Sequence, residues 1–298
     1  MIDLKKLTTE QRHPDTYELD MMTPLEIITI MNQEDMKVNE AIKKELPKIA
    51  QVIEWCTKAL QDKGRIIYIG AGTSGRLGLL DAAECPPTFG VDHNTVVGLL
   101  AGGAEAFQKA IEGAEDSTDL AQHDMEEIHV NKNDVVIGIA ASGRTPYVIH
   151  GLIYAKSLGC KTVAISNNAN SEMAAVADLA IEPITGPEVL TGSTRLKSGT
   201  SQKLVLNMIS TASMVGIGKV YQNLMVDVMQ TNKKLITRAE NIVMSATQCD
   251  RTTAQNTLQQ AQGRVKIAIT MILLQCDETQ ALNMLDKTQV HIRPCVKQ

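Results

Sequence analysis

The chain has 298 residues, 44% of them apolar and only 3% aromatic, with a formal net charge of -5. That length holds one large domain or a domain with a smaller companion, and a weakly acidic, ring-poor chain lacks the basic stripes and stacking rings that nucleic acid requires. No uncharged apolar run reaches the ~18 residues of a membrane helix, and the scattered cysteines form no CxxC pair that would suggest zinc. Reduced thiols, and no apolar signal-peptide core in the first twenty residues, predict a soluble cytoplasmic protein that engages neither nucleic acid nor membrane.

Residues 1–22 are polar and irregular. Over 23–64 the apolar spacing predicts two helices, the first capped by Thr23 with Pro24 at its first position. Five short apolar runs follow, "RIIYIGAG", "NTVVGLLAGG", "DVVIGIAASG", "KTVAISNN" and "LAIEPITG". Helical patterns separate most of them, over 76–84, 104–127 and 146–158, with the double proline Pro86–Pro87 as a stop. Strands alternating with helices predict an α/β fold, a doubly wound, mainly parallel five-stranded sheet flanked by helices. A long apolar helix over 200–221 reads as a core or interface element. Three short helices then predict a small C-terminal domain, the last of three segments: 1–55, 56–222 and 240–298.

Ligands of such sheets bind outside the carboxyl ends of the strands. Three turns there share a composition: "GAGTSGR" (70–76), "ASGRTPY" (141–147) and "TGSTRLKSGTSQK" (191–203). Each sets Ser and Thr beside Gly and opens a helix, which suits an anion, although the same residues also serve as plain helix caps. Gly70, Gly72 and Gly75 match a dinucleotide GxGxxG only superficially, because no acidic residue ends the second strand to take a ribose hydroxyl. Thr73 and Ser74 between the glycines suit a phosphate monoester better than a pyrophosphate.

These loops resemble the sugar isomerase (SIS) domain, which binds phosphorylated sugars. "GAGTSGRLGLLDAAECPPTFG", "GGAEAFQKAIEGAEDS" and "STRLKSGTSQKLVLNMIST" further resemble the N-acetylmuramic acid 6-phosphate etherase family, over nearly the whole chain. That resemblance implies elimination of a lactyl ether followed by hydration, with no cofactor and no metal. It assigns Glu84 as the acid that assists lactate departure and later activates water, and Glu115 as the base for the sugar C2 proton. Two carboxylates at one site push their pKa values apart, so that one serves as acid and the other as base. The small and apolar neighbours of Glu84 predict a carboxylate shielded from open water.

Ser142, Gly143 and Thr145 are the candidates for the 6-phosphate. Thr73 and Ser74 share it or take sugar hydroxyls, Ser193, Thr194 and Arg195 form a third wall, and Lys234 neutralises charge. Glu188 either matches a position used in related isomerases or caps a helix. A helix over 75–84 is about 15 Å long, which sets Glu84 far from its own loop and predicts a homodimer with a shared active site. The alternatives are a non-catalytic sugar-phosphate sensor resembling the glucokinase regulatory protein, and an aldose–ketose isomerase of the same fold.

Overall fold

The computed structural model describes residues 7–109, 111–228 and 233–296. By compactness the chain divides into two units, one of residues up to Ala83 with Asn94–Ser210, the other of Glu84–His93 with the residues from Thr211. The helix Pro24–Gln61 packs on β-strands of the first unit. The outer ends of the expected segments, 1–6 and 297–298, lie outside the described residues.

The first helix, α1, is a single element, Pro24–Gln61, where two were expected. Thr23 accepts from the Glu26 amide and Glu26 returns to the Thr23 amide, with Pro24 next. This capping box fixes the start. Pro47 lies inside the helix and removes the amide that Lys43 would have accepted from. Both residues are exposed, so the freed carbonyl is on the solvent side. The buried stripe Val38, Ile42, Ile49, Val52 and Cys56 carries the helix through.

The sheet is parallel throughout, in the order β2-β1-β3-β4-β5. Its strands are β1 (Ile66–Gly70), β2 (Val96–Leu100), β3 (Val135–Ile139), β4 (Lys161–Ile165) and β5 (Leu179–Ile181). All five expected runs are strands. β1 and β3 are buried at every position, which explains why they read as continuous rather than alternating apolar runs. Their helices are α2 (Gly72–Phe89), α3 (Leu120–Glu127), α4 (Pro146–Ser157), α5 (Glu172–Val176) and α6 (Lys197–Gly216). α4 sits close on the sheet because glycine faces it: a Cβ on Gly138 would lie 2.5 Å from Val148 Cγ1.

Two helix predictions are corrected. Residues 104–127 are not one helix but a 3-10 turn at Ala104–Phe107, a turn-rich stretch and α3. Gly103 and Gly113 hold positive φ there, 70° and 76°, which a helix does not accommodate. Pro86 and Pro87 do not stop α2 but lie in its last turn. The helix ends instead at Gly90, whose amide reaches Pro86 O at 2.9 Å and whose φ is +60°.

The second unit is helical: α7 (Lys233–Thr247), α8 (Arg251–Gln260), α9 (Val265–Leu274), α10 (Glu278–Lys287) and α11 (Ile292–Val296). A short hairpin, β6 (Val220–Tyr221) with β7 (Leu224–Met225), precedes them. The expected C-terminal helical domain is present, with five helices in the described residues rather than three. The break expected near Gly263 separates α8 from α9, and Gly263 has a φ of +78°. Val243, Ala254, Ala268, Ile269, Ala281 and Leu285 form its core.

The sheet unit holds an ion cluster in which Glu34, Lys197 and His13 are buried. Glu34 Oε2 pairs with Lys197 Nζ at 2.5 Å, and Oε1 with Lys37 Nζ at 2.5 Å and His13 Nε2 at 3.1 Å. His13 Nδ1 accepts from the Asp15 amide, so Nε2 carries the proton toward Glu34. Burial opposes the charge on Glu34, but the lysine and histidine partners outweigh it and hold its pKa at about 2 instead of 4.5. Because the folded carboxyl binds its proton less tightly than the unfolded one, the contribution is complete above about pH 4.5 and drains away as pH falls toward 2. The difference corresponds to about 3 kcal/mol. We expect acid titration of unfolding free energy to show this loss, and Glu34→Gln to remove it while lowering stability at neutral pH by about 3–5 kcal/mol, since Lys197 is left buried and unpaired.

Candidate functional site

Strand order reverses between β1 and β3, and in doubly wound sheets the crevice at that switch point receives the ligand. The first two Ser/Thr loops follow these two strands. α2 begins at Gly72, and its first intrahelical bond runs from the Gly75 amide to Ala71 O at 3.1 Å. The amides of Gly72, Thr73 and Ser74 therefore have no partner within the helix. Thr73 is half-buried. Ser74 is only 8% exposed, and its hydroxyl donates to Gln202 Oε1 at 2.8 Å. Ser74 thus ties the loop from behind, whereas Thr73 is available to a ligand.

After β3 the chain turns at residues 140–143, with the Gly143 amide on Ala140 O. Gly143 has a φ of +70°, and a Cβ there would stand 2.3 Å from Ser171 Cβ. No other residue fits. Ser142 Oγ accepts from the Arg144 amide at 3.3 Å. Thr145 is the N-cap of α4, yet its side chain makes no capping bond, so its hydroxyl is free to meet a ligand. Arg144 is committed to Glu172 at 2.8 Å.

A polar network holds the loops in register. Gln202 Nε2 donates to Asn167 Oδ1 at 3.2 Å, and Asn167 Nδ2 donates to Ser201 Oγ at 2.7 Å. Asn168 Nδ2 donates to Ala141 O at 3.0 Å. The network joins α2, the end of β4, the 141–145 loop and α6.

Glu115 is brought beside the second loop by its main chain. Its carbonyl accepts from the Tyr147 amide at 3.0 Å, in the first turn of α4. Tyr147 is itself buried, with its hydroxyl on Asp124 at 2.7 Å. The Glu115 side chain is exposed and lines a cavity of about 170 Å³ with Ala71, Gly72, Arg76, Ala106, Ile111 and Glu112 among others. Glu115 thus lines one cavity with Ala71 and Gly72 of the first loop, and its main chain is tied to the start of α4, just after the second loop.

The third loop differs from expectation. Ser193 and Thr194 are half-buried and Arg195 is exposed, but the amides that open α6 are already occupied. Glu188, wholly buried, accepts from the Lys197 amide at 3.0 Å, the Ser198 amide at 2.9 Å and Ser198 Oγ at 3.0 Å. Of the two roles open to Glu188, the geometry shows the cap. An external anion at this helix start would compete with an internal carboxylate, so the dipole of α6 is spent on the fold. Thr194 still lies near the first loop: a Cβ on Gly199 would touch both Thr73 Cγ2 and Thr194 O.

Glu84 and Lys234 belong to the second unit. Glu84 is exposed on α2, contrary to the shielding expected from its neighbours, because helical geometry turns Ala82 and Cys85 inward and Glu84 outward. Lys234 is exposed on α7 and lines an open groove of about 540 Å³ with Thr237, Arg238 and Asn241.

Sequence reasoning missed Asn167, Gln202, Lys197 and Arg76. The polar "SNN" at the carboxyl end of β4 was the visible signal for Asn167. Gln202, Lys197 and Arg76 sit within quoted loops, but only packing reveals what each one holds.

Residues 48–156 match the glucokinase regulatory protein N-terminal SIS domain, and residues 114–212 match the SIS domain. The chain is 57% identical to the N-acetylmuramic acid 6-phosphate etherase of Actinobacillus pleuropneumoniae, over 91% of this chain and 89% of that one. It is 58% identical to the etherase of the same name from Oceanobacillus iheyensis, over 91% and 92%. A phosphoheptose isomerase structure from Neisseria gonorrhoeae shares the fold, with a TM-score of 0.50, 19% identity, and coverage of 64% of this chain and 98% of that one.

The capping role of Glu188 has a direct check. Glu188→Ala should cost about 2–3 kcal/mol of stability by orphaning two amides and the Ser198 hydroxyl. Denaturant unfolding should show Glu188→Gln recovering part of that loss.

Proposed function

Because this chain belongs to the N-acetylmuramic acid 6-phosphate etherase family, a carbon–oxygen lyase that converts N-acetylmuramate 6-phosphate to N-acetylglucosamine 6-phosphate and D-lactate in cell-wall amino-sugar recycling, we propose how its residues divide that work. The observation that carries the proposal is the Tyr147 amide on Glu115 O, which supports a Glu115 carboxylate near the Ser142–Thr145 loop. Ser142 and Thr145 hydroxyls, the Gly143 backbone and the free amides of the α2 first turn hold the 6-phosphate. Thr73 shares it, and Ser193, Thr194 and Arg195 wall the sugar. Ser74 supports the first loop through Gln202, and Lys234 neutralises substrate charge.

In the open-chain sugar the C2 proton is acidified by the C1 aldehyde. Glu115 takes that proton, and the electron pair is held as the enolate. Its return expels the C3 oxygen as lactate, which Glu84 protonates. The product of this half-reaction is a 2,3-unsaturated aldehyde. Glu84, now a carboxylate, deprotonates a water that adds at C3, and Glu115 returns the proton to C2.

Glu84 follows Thr73 by eleven positions of unbroken helix, about 16 Å of rise. This supports a site completed by a second copy, each Glu84 serving the other chain's sugar. Exposed apolar residues along the start of α1, Leu25 at 70%, Ile28 at 58% and Met36 at 64%, support burial of this surface in a homodimer. Free cysteines support a cytoplasmic location. A sugar-phosphate sensor or an isomerase of this fold would release no lactate, so a coupled D-lactate assay separates them.

Glu84→Gln is expected to lower D-lactate release by ~10²–10⁴-fold with sugar-phosphate binding retained; near-normal turnover would remove Glu84 from the chemistry. Mixing Glu84→Gln with a Ser142→Ala/Thr145→Ala protein should restore roughly a quarter of wild-type activity after subunit exchange, because one site in each mixed dimer is intact. A mixture that stays inactive while mass measurements confirm mixed dimers would place Glu84 in its own chain's site.

A further inference from the structure

The substrate carries two anions, the 6-phosphate and the lactyl carboxylate, and the Ser/Thr loops answer only the first. We propose that Arg76 reads the lactyl carboxylate, in the cavity that also holds Glu115. This inference rests on the etherase reaction proposed above.

Arg76 is the one cation among the residues lining that cavity. Its Nε donates to Phe107 O at 2.9 Å and its Nη2 to Ala106 O at 2.7 Å. These two bonds fix the guanidinium plane, and Nη1 has no partner among the described residues. A half-buried guanidinium held by neutral carbonyls keeps its full charge for a ligand. Two other basic side chains of this unit are committed, Arg144 to Glu172 and Lys197 to Glu34.

The rest of the cavity suits the remainder of a lactyl group. Ala71, Ala101, Ala106 and Ile111 give an apolar wall for its methyl. At about 170 Å³ the cavity is below the ~300–1,000 Å³ of pockets that take whole ligands, so it fits a substituent rather than a sugar. The placement also follows from connectivity. The ether oxygen is on C3, next to the C2 whose proton Glu115 takes, so a cation sharing the Glu115 cavity lies within reach of the lactyl carboxylate. N-acetylglucosamine 6-phosphate lacks this carboxylate, and loss of lactate ends the contact with Arg76.

The experiment compares kcat/KM for N-acetylmuramate 6-phosphate and for its lactyl carboxamide analogue. Wild type should favour the carboxylate by roughly 10- to 100-fold. In Arg76→Gln that preference should disappear, while inhibition by N-acetylglucosamine 6-phosphate stays as in wild type, and Arg76→Lys should keep part of the preference. If Arg76→Gln slows both substrates equally and retains the preference, Arg76 only props the 104–107 turn and the proposal fails. A wild-type enzyme that turns over both substrates alike overturns it without any variant. Wild type that releases neither D-lactate nor its amide would overturn the etherase reaction itself, and this inference with it.

Discussion

A buried row of side-chain amides and hydroxyls, Ser74–Gln202–Asn167–Ser201, sets the geometry on which the rest of the sheet unit's site depends. Parallel strands deliver their loops to one edge of the sheet, but they do not fix the distance between loops to the precision that ligand hydrogen bonds need. The row does so, because each member is buried, bonds to its neighbour in the row, and two members are also tied to main-chain carbonyls, Asn167 to Pro183 O and Ser201 to Ser198 O. Loss of one bond would leave an unsatisfied polar atom in a low-dielectric interior, so the network tolerates little drift. Asn168, hydrogen-bonded to Ala141 O, extends the same constraint to the second loop.

Electrostatic work is divided in a similar way. Two helix starts, those of α2 and α4, face the crevice with unpaired amides or an unused hydroxyl. The start of α6 is neutralised by Glu188 from within. Lys197, the first residue of α6, is turned to the opposite task, balancing Glu34 of α1. Of three similar Ser/Thr loops, two thus leave their helix starts open and one has its helix start closed by Glu188.

Much of this was legible in the sequence. The five apolar runs are the five strands: each is short and bounded by Gly or polar turns, and β1 and β3 are buried at every position. The loops were legible because Gly, Ser and Thr at strand ends have few other uses. What failed had local causes that depend on tertiary context. Pro86–Pro87 read as a stop, yet buried neighbours on the inner face outweigh one or two missing helix bonds. The stretch 104–127 read as a helix because its alanines and charged residues favour one, whereas Gly103 and Gly113 and the tether from Arg76 impose turns. The exposure of Glu84 could not be read from apolar neighbours, because in a helix adjacent residues point in different directions. The unlike roles of the three Ser/Thr loops depend on Glu188, Gln202 and Asn167, partners far away in sequence.

The attachment of Glu115 has a consequence for how such a scaffold changes over time. Its position is set by a peptide carbonyl, and every amino acid supplies one. Side chains at this point can therefore be exchanged without disturbing the anchor, and the turns on its amino-terminal side can lengthen or shorten around it. A platform of this kind uncouples where a side chain stands from what that side chain is. The main-chain anchor to α4 would then persist whichever side chain stood at position 115.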